Sequence, residues 1–343
     1  MNLKQLSQTL GLSQTTVSRA LNGYPEVSEA TRKRVALAAE KANYRPSTRA
    51  KGLATGRALA IGHVIPMSTK HEMVNPIFGD FIAGAGEAYS RHGFEMILSI
   101  VDDSSEEAVY QGLKSRGSVD GVVVHGPRMN DSRIALLDDL DLPFVVHGRA
   151  SGVTTSYSWL DVNNRRAFQR ATDFLCDLGH RRIGLINGLE TMDFAHRRRH
   201  GYVESLQNHG IELDPTLMTT GEMTEGYGYL STLAMLSSSQ PPTAIVSASM
   251  ISALGARRAI EDRGLVMGRD VSIVTHDDML SYLQNGTDVP VFTSTRSSVR
   301  EAGRLLAEML ITRLADPTLP PLQTLLEAEL TVGQSTSPAP SAG

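Results

Sequence analysis

Between Ser13 and Asn22 the chain sets Gln14, Thr15, Thr16, Ser18 and Arg19 around Val17, Ala20 and Leu21. At helical spacing the three apolar residues form an inward face, which leaves the amide, hydroxyl and guanidinium groups outside. Groups of these kinds bond to base edges and phosphate oxygens. His196 and His200 stand at the i, i+4 spacing of helical zinc ligands. The intervening Arg197, Arg198 and Arg199 oppose a cation, and no glutamate follows His196, so no metal site is expected. The chain has no Gly-x-Ser-x-Gly elbow and no Gly-Lys-Ser/Thr phosphate loop, and Gly84-Ala85-Gly86 falls inside a helical pattern rather than after a strand. The single Cys176 excludes an internal disulfide and a thiolate metal site. The chain is read as a non-enzyme without a cofactor.

Those outward polar groups need a scaffold. Leu3, Leu6 and Leu10 recur at helical spacing, Gly11 breaks the run, and Ser13 is a good cap for a second helix from Gln14 to about Asn22. Gly23-Tyr24-Pro25 ends that unit, and Ser28 caps a third helix packed through Val35, Leu37, Ala38, Ala39 and Ala42. From Met1 to Arg57 there are ten Lys/Arg and three Asp/Glu, whereas the remainder carries 23 and 34. A basic helix-turn-helix arm on an acidic body fits phosphate binding by a separate head.

Beyond Arg57 short apolar strands alternate with amphipathic helices. Strands are expected at 59–65, 95–100, 121–125, 144–146, 183–186, 244–247 and 271–275, and helices at 78–92, 106–116, 165–178, 198–209, 227–236 and 251–263. This is the signature of an α/β core with two doubly wound parallel-sheet lobes, preceded by the all-α helix-turn-helix domain. Ligands of such sheets bind beyond the carboxyl ends of the strands. No run of 18 apolar residues and no secretory leader occur, so a cytoplasmic, membrane-free protein is expected.

The stretch Leu12-Ser13-Gln14-Thr15-Thr16-Val17-Ser18-Arg19-Ala20-Leu21-Asn22-Gly23, with Val27-Ser28-Glu29-Ala30-Thr31-Arg32 and Asn43-Tyr44-Arg45-Pro46, resembles the DNA-binding head of the LacI/GalR family. Leu178-Gly179-His180-Arg181-Arg182-Ile183, Arg198-Arg199-His200-Gly201-Tyr202 and Asp270-Val271-Ser272-Ile273-Val274-Thr275-His276-Asp277-Asp278 extend the resemblance through the core to about Gly333. It implies a homodimeric, sugar-responsive regulator on double-stranded operator DNA, with a core like periplasmic binding proteins. Base reading then falls on Gln14, Thr15 and Arg19, and phosphate contact on Ser13, Thr16, Ser18, Asn22, Ser28 and Thr31. In the hinge, Ala50 and Leu53 match minor-groove positions, with Leu53 as a wedge.

The resemblance also divides the chain. It implies a head at 1–45, a hinge at 46–58, lobe one at 59–159 plus about 292–320, and lobe two at 160–290 plus about 322–333. A Ser/Pro/Ala-rich tail at 334–343 is expected to be disordered. Planar, fixed polar groups recognise sugar hydroxyls. Arg198 matches the family's effector-binding arginine and Asp277 its ligand-binding aspartate, with Arg149, Asp161, Asn75 and Phe78 as further contacts. Ser249-Met250 replaces a common Asn-Asp pair, which leaves room for a bulkier or shifted effector. The expected effector is a sugar, with an α-glucoside such as a disaccharide as the specific choice. An exported sugar-binding transport protein would share the core but would lack the head. Repressor and activator are not separated by sequence, since both use the same head.

Overall fold

The computed structural model describes residues 1–44, 56–66, 76–102 and 105–340. In the head, helices α1 (Leu3–Leu10), α2 (Gln14–Leu21) and α3 (Glu29–Lys41) each begin on a side-chain cap: Asn2, Ser13 and Ser28 accept the amides of Gln5, Thr16 and Thr31. Gly11, in the left-handed region at φ 63°, closes α1 and turns the chain into α2. Leu6, Leu10, Val17, Ala20, Val27, Val35 and Ala39 form the small core of this domain.

The first lobe is a parallel sheet in the order β11-β5-β4-β3-β1-β2. Its strands are β1 (Ala60–Pro66), β2 (Glu95–Val101), β3 (Gly121–His125), β4 (Phe144–His147), β5 (Trp159–Val162) and β11 (Gln323–Leu326). Helices α4 (Pro76–His92), α5 (Glu106–Ser115), α6 (Ser132–Asp139) and α11 (Val299–Ala315) complete it. The second sheet runs β12-β10-β9-β8-β6-β7, parallel except for β12. It comprises β6 (Ile183–Asn187), β7 (Met218–Thr220), β8 (Ala244–Ser247), β9 (Ser272–Asp277), β10 (Thr293–Arg296) and β12 (Glu329–Thr331). Around it lie α7 (Asn164–Asp177), α8 (Asp193–Asn208), α9 (Glu225–Leu236) and α10 (Met250–Asp262). Strands such as β3 and β6 are buried throughout, as parallel strands covered on both faces must be.

The chain passes between lobes after β5, between β10 and α11, and between β11 and β12, and these passages differ in place from the expected boundaries. Residues 160–162 close the first sheet, not the second. Thr293–Arg296, expected in lobe one, pairs with β9 in lobe two. The segment expected as one lobe-two strand is divided, β11 pairing with β5 and β12 with β10. Dividing one segment thus adds an outer strand to each sheet and pairs the backbone of β5 and of β10.

Three helix pairs cross at glycine. A Cβ on Gly84 of α4 would lie 1.9 Å from the Arg300 carbonyl oxygen, and one on Gly303 of α11 would lie 2.1 Å from that of Phe81. Gly228 of α9 and Gly255 of α10 meet the Ser252 and Glu225 carbonyls in the same way, at 2.0 and 1.9 Å, and Gly201 of α8 meets Arg165 of α7 at 2.0 Å. The Gly84-Ala85-Gly86 run thus serves helix packing.

The tail expected to be disordered is bound to the second sheet as far as it is described. β10 begins opposite Val274, so the backbone of Ile273 lacks a strand partner on that side. Ser335 fills the gap: its carbonyl accepts the Ile273 amide at 2.8 Å, and its buried hydroxyl donates to the Ile273 carbonyl while accepting the Thr293 amide. Ala339 donates to the Leu178 carbonyl. Composition registers the lack of apolar side chains and misses these backbone partners. Ser335→Ala is expected to lower stability by about 1–3 kcal/mol, read as a fall in Tm by calorimetry; an unchanged Tm would show that this hydroxyl contributes nothing.

Candidate functional site

In the head, Val17 and Ala20 are buried while Gln14, Thr15 and Arg19 are exposed on the other side of α2. Ser13 and Ser28 each accept a backbone amide and also bond to a threonine hydroxyl, Thr16 at 2.8 Å and Thr31 at 2.9 Å. Asn22 donates to the Ser18 carbonyl at 2.9 Å. The hydroxyls expected at phosphate therefore also hold the helix starts, and the freely projecting groups are Gln14, Thr15 and Arg19. Ala50, Leu53 and Asn75 lie outside the described residues.

A cavity of about 380 Å³ lies between the lobes, within the roughly 300–1,000 Å³ usual for small-ligand sites. Its walls come from the carboxyl ends of the strands: His125 ending β3, His147 ending β4, Asp161 and Val162 ending β5, and Asp278 just after β9. Phe78 and Phe81 of α4, Met192, Phe194 and Met223 add apolar surface. Large apolar faces with a few fixed polar groups suit a sugar, whose ring has both apolar faces and hydroxyl edges.

Arg198 is the best anchored of those polar groups. Its Nε donates to Asn164 Oδ1 and its Nη1 to the Ala248 carbonyl, both at 2.7 Å. The guanidinium lies 5.0 Å from the Phe168 ring centroid and 4.9 Å from that of Phe194. Burial pulls its pKa down to about 10, against the attraction of Asp278 and Asp161, so it stays charged near neutral pH. Asn164 reaches on with Nδ2 to Asp161 Oδ1 at 3.3 Å, and Asp161 Oδ2 accepts Arg149 Nε at 2.8 Å. Arg149 in turn covers the Trp159 ring. One polar chain thus runs from β5 in the first lobe to α8 in the second.

Of the residues expected at the effector, Phe78, Asp161 and Arg198 line the cavity, whereas Arg149, Ser249 and Asp277 are not among its lining residues. Arg149 acts through Asp161. Ser249 caps α10 by accepting the Ser252 amide. Asp277 is turned to its own sheet: Oδ1 accepts the Met279 amide at 2.8 Å and Oδ2 pairs with Arg296 at 3.3 Å. Asp278, one residue on, lines the cavity in its place, because adjacent residues at a strand end face opposite ways. His125 and His147 were also missed, although both end a strand, the position where such sheets bind ligands.

Residues 3–47 match the family described as bacterial regulatory proteins, lacI family, and residues 172–336 match a periplasmic binding protein-like domain. The HTH-type transcriptional regulator AglR of Rhizobium meliloti (strain 1021) is 45% identical over 340 residues, covering 99% of this chain and 95% of that protein. A solved transcriptional regulator CelR–cellobiose complex is 28% identical with a TM-score of 0.72, covering 98% and 99% of the two chains. The lac repressor dimer bound to operator and the anti-inducer ONPF has a TM-score of 0.82 at 23% identity, a likeness of fold, covering 98% and 99%.

Burial drives the Asp278 carboxyl from its ordinary 3.8 to about 7 despite the opposing charge of Arg198. Between those values the folded chain holds a proton that the unfolded chain has released, so stability falls as pH rises through that window. Asp278→Asn is expected to flatten this fall and to be more stable than the parent above pH 7 but not at pH 4. Parallel denaturation curves for the two proteins over that range would contradict it.

Proposed function

The chain belongs to the LacI family of bacterial regulatory proteins, as a helix-turn-helix transcriptional regulator and not an enzyme, and from that premise we propose how it works. It acts in the cytoplasm as a homodimer on a two-fold symmetric, double-stranded operator. It represses genes of carbohydrate uptake or catabolism until a sugar binds in the cleft between the lobes. The supporting observation is the cleft itself, where a rigidly held Arg198 and the carboxylates Asp161 and Asp278 face aromatic and methionine side chains. The volume suits a disaccharide, and the CelR structure with cellobiose is a relative with such a ligand. The effector is an α-linked glucoside.

The head reads bases through Gln14, Thr15 and Arg19 and contacts phosphate through Ser13, Thr16, Ser18, Asn22, Ser28 and Thr31. The hinge residues Ala50 and Leu53 enter the minor groove. A sugar that favours the DNA-incompetent arrangement by about 1–3 kcal/mol releases operator roughly 5- to 150-fold.

A thermal-shift screen of maltose, trehalose, sucrose and cellobiose tests the effector class: stabilisation by an α-glucoside is expected, and a shift with cellobiose alone would overturn that choice. Arg19→Ala is expected to weaken specific operator binding about tenfold or more in gel-shift titrations, with the Tm of the core unchanged. Arg198→Lys keeps the charge but loses the fork of donors, so operator binding should persist while release by the stabilising sugar fails. Normal release would remove Arg198 from the effector site.

A further inference from the structure

Three histidines, His63 and His125 buried and His147 partly so, stand on adjacent parallel strands of the first lobe: His63 on β1, His125 on β3 and His147 on β4. His63 Nδ1 and His125 Nε2 share a hydrogen bond of 3.0 Å, and His63 Nε2 and the Tyr89 hydroxyl another of 3.0 Å. His63 is fully buried and Tyr89, on α4, is 1% exposed, whereas His125 lines the effector cavity. Burial holds all three imidazoles neutral, with His63 brought to about 3 and His147 to about 4.

A neutral imidazole has one N–H and one lone pair, so the bonds in this row must be oriented together. In one orientation Tyr89 donates to His63 Nε2, His63 Nδ1–H donates to His125 Nε2, and the His125 proton sits on Nδ1. In the other, His125 donates inward and His63 donates to Tyr89, which leaves the phenolic proton without an acceptor. Among the described residues the Tyr89 hydroxyl has no hydrogen-bond partner but His63, and a buried donor left unmet is the costlier case. The first orientation is therefore selected. The remaining nitrogen of His125, Nδ1, has no hydrogen-bond partner among the described residues, and His125 lines the cavity.

We propose that Tyr89 and His63 are positioning residues that fix His125 as a neutral hydrogen-bond donor toward an acceptor oxygen of the effector. This rests on the effector-cleft reading above. It narrows the ligand at the first-lobe wall to one presenting a hydroxyl or ether oxygen between Phe78 and Phe81, whose rings lie edge-on to His125 with centroids 5.2 Å away. An amino sugar presenting an ammonium there meets a donor with donors only and is rejected.

Long-range proton–nitrogen NMR of the sugar-free, full-length protein, labelled at histidine nitrogen, reads the tautomers at pH 7. The expected spectrum has His125 protonated at Nδ1 with a lone pair on Nε2. In Tyr89→Phe the orientation loses its anchor, and His125 should divide between both tautomers. A wild-type His125 protonated at Nε2 or at both nitrogens overturns the proposal without need of the variant, as does an unchanged tautomer in Tyr89→Phe. Calorimetric titration with maltose should show about tenfold weaker binding to Tyr89→Phe, equivalent to about 1.4 kcal/mol. Equal affinity in the two proteins overturns the proposal. Failure of maltose, trehalose and sucrose alike to bind the parent overturns the α-glucoside reading instead, and the tautomer result stands apart from it.

Discussion

A guanidinium cannot be discharged near neutral pH, so burying Arg198 obliges its surroundings to satisfy it. The start of α7 supplies Asn164, the residue after β8 supplies the Ala248 carbonyl, and the rings of Phe168 and Phe194 lie against the guanidinium. Because Asn164 also holds Asp161, and Asp161 holds Arg149, the requirement extends across the first passage between lobes. The polar edge of the cavity is thereby set before a ligand arrives. A ligand bonding to Asp161 or Arg198 acts on groups anchored in both sheets at once, which links occupancy of the cleft to the relation between lobes.

The helices of the head and their buried face were legible almost residue by residue, because the period of one short helix separates Val17 and Ala20 from Gln14, Thr15 and Arg19. The core was legible as alternating strands and helices but less so in detail. Asp277 and Asp278 are neighbours, and only the phase of β9 decides which of them enters the cavity. The lobe passages were misplaced because β5, β10, β11 and β12 have three or four residues each, too few for periodicity to assign a sheet. Strand β7 and helix α6 escaped notice for the same reason of length. The tail misled because its order depends on the backbone of Ile273, which no pattern of side chains in 334–340 records.

The two lobes present the cavity with different chemistry. The second brings an obligatory cation and a carboxylate, Arg198 and Asp278. The first brings imidazoles kept neutral by burial and bounded by Phe78 and Phe81, with His147 stacked on Phe81 at 4.1 Å between centroids. The division is not one of charge alone, since Asp161 of the first lobe and the buried His276 of the second also line the cavity.

The glycine crossings bear on how such a molecule can respond. In α4 with α11, and in α9 with α10, each helix lends a glycine to its partner's carbonyl, so the contacts are reciprocal. A ratchet of one helix past the other would drive side-chain-bearing residues into those oxygens, and the register of each pair is therefore locked. Each of these pairs lies within a single lobe, so a turning of one lobe against the other would leave every locked register intact.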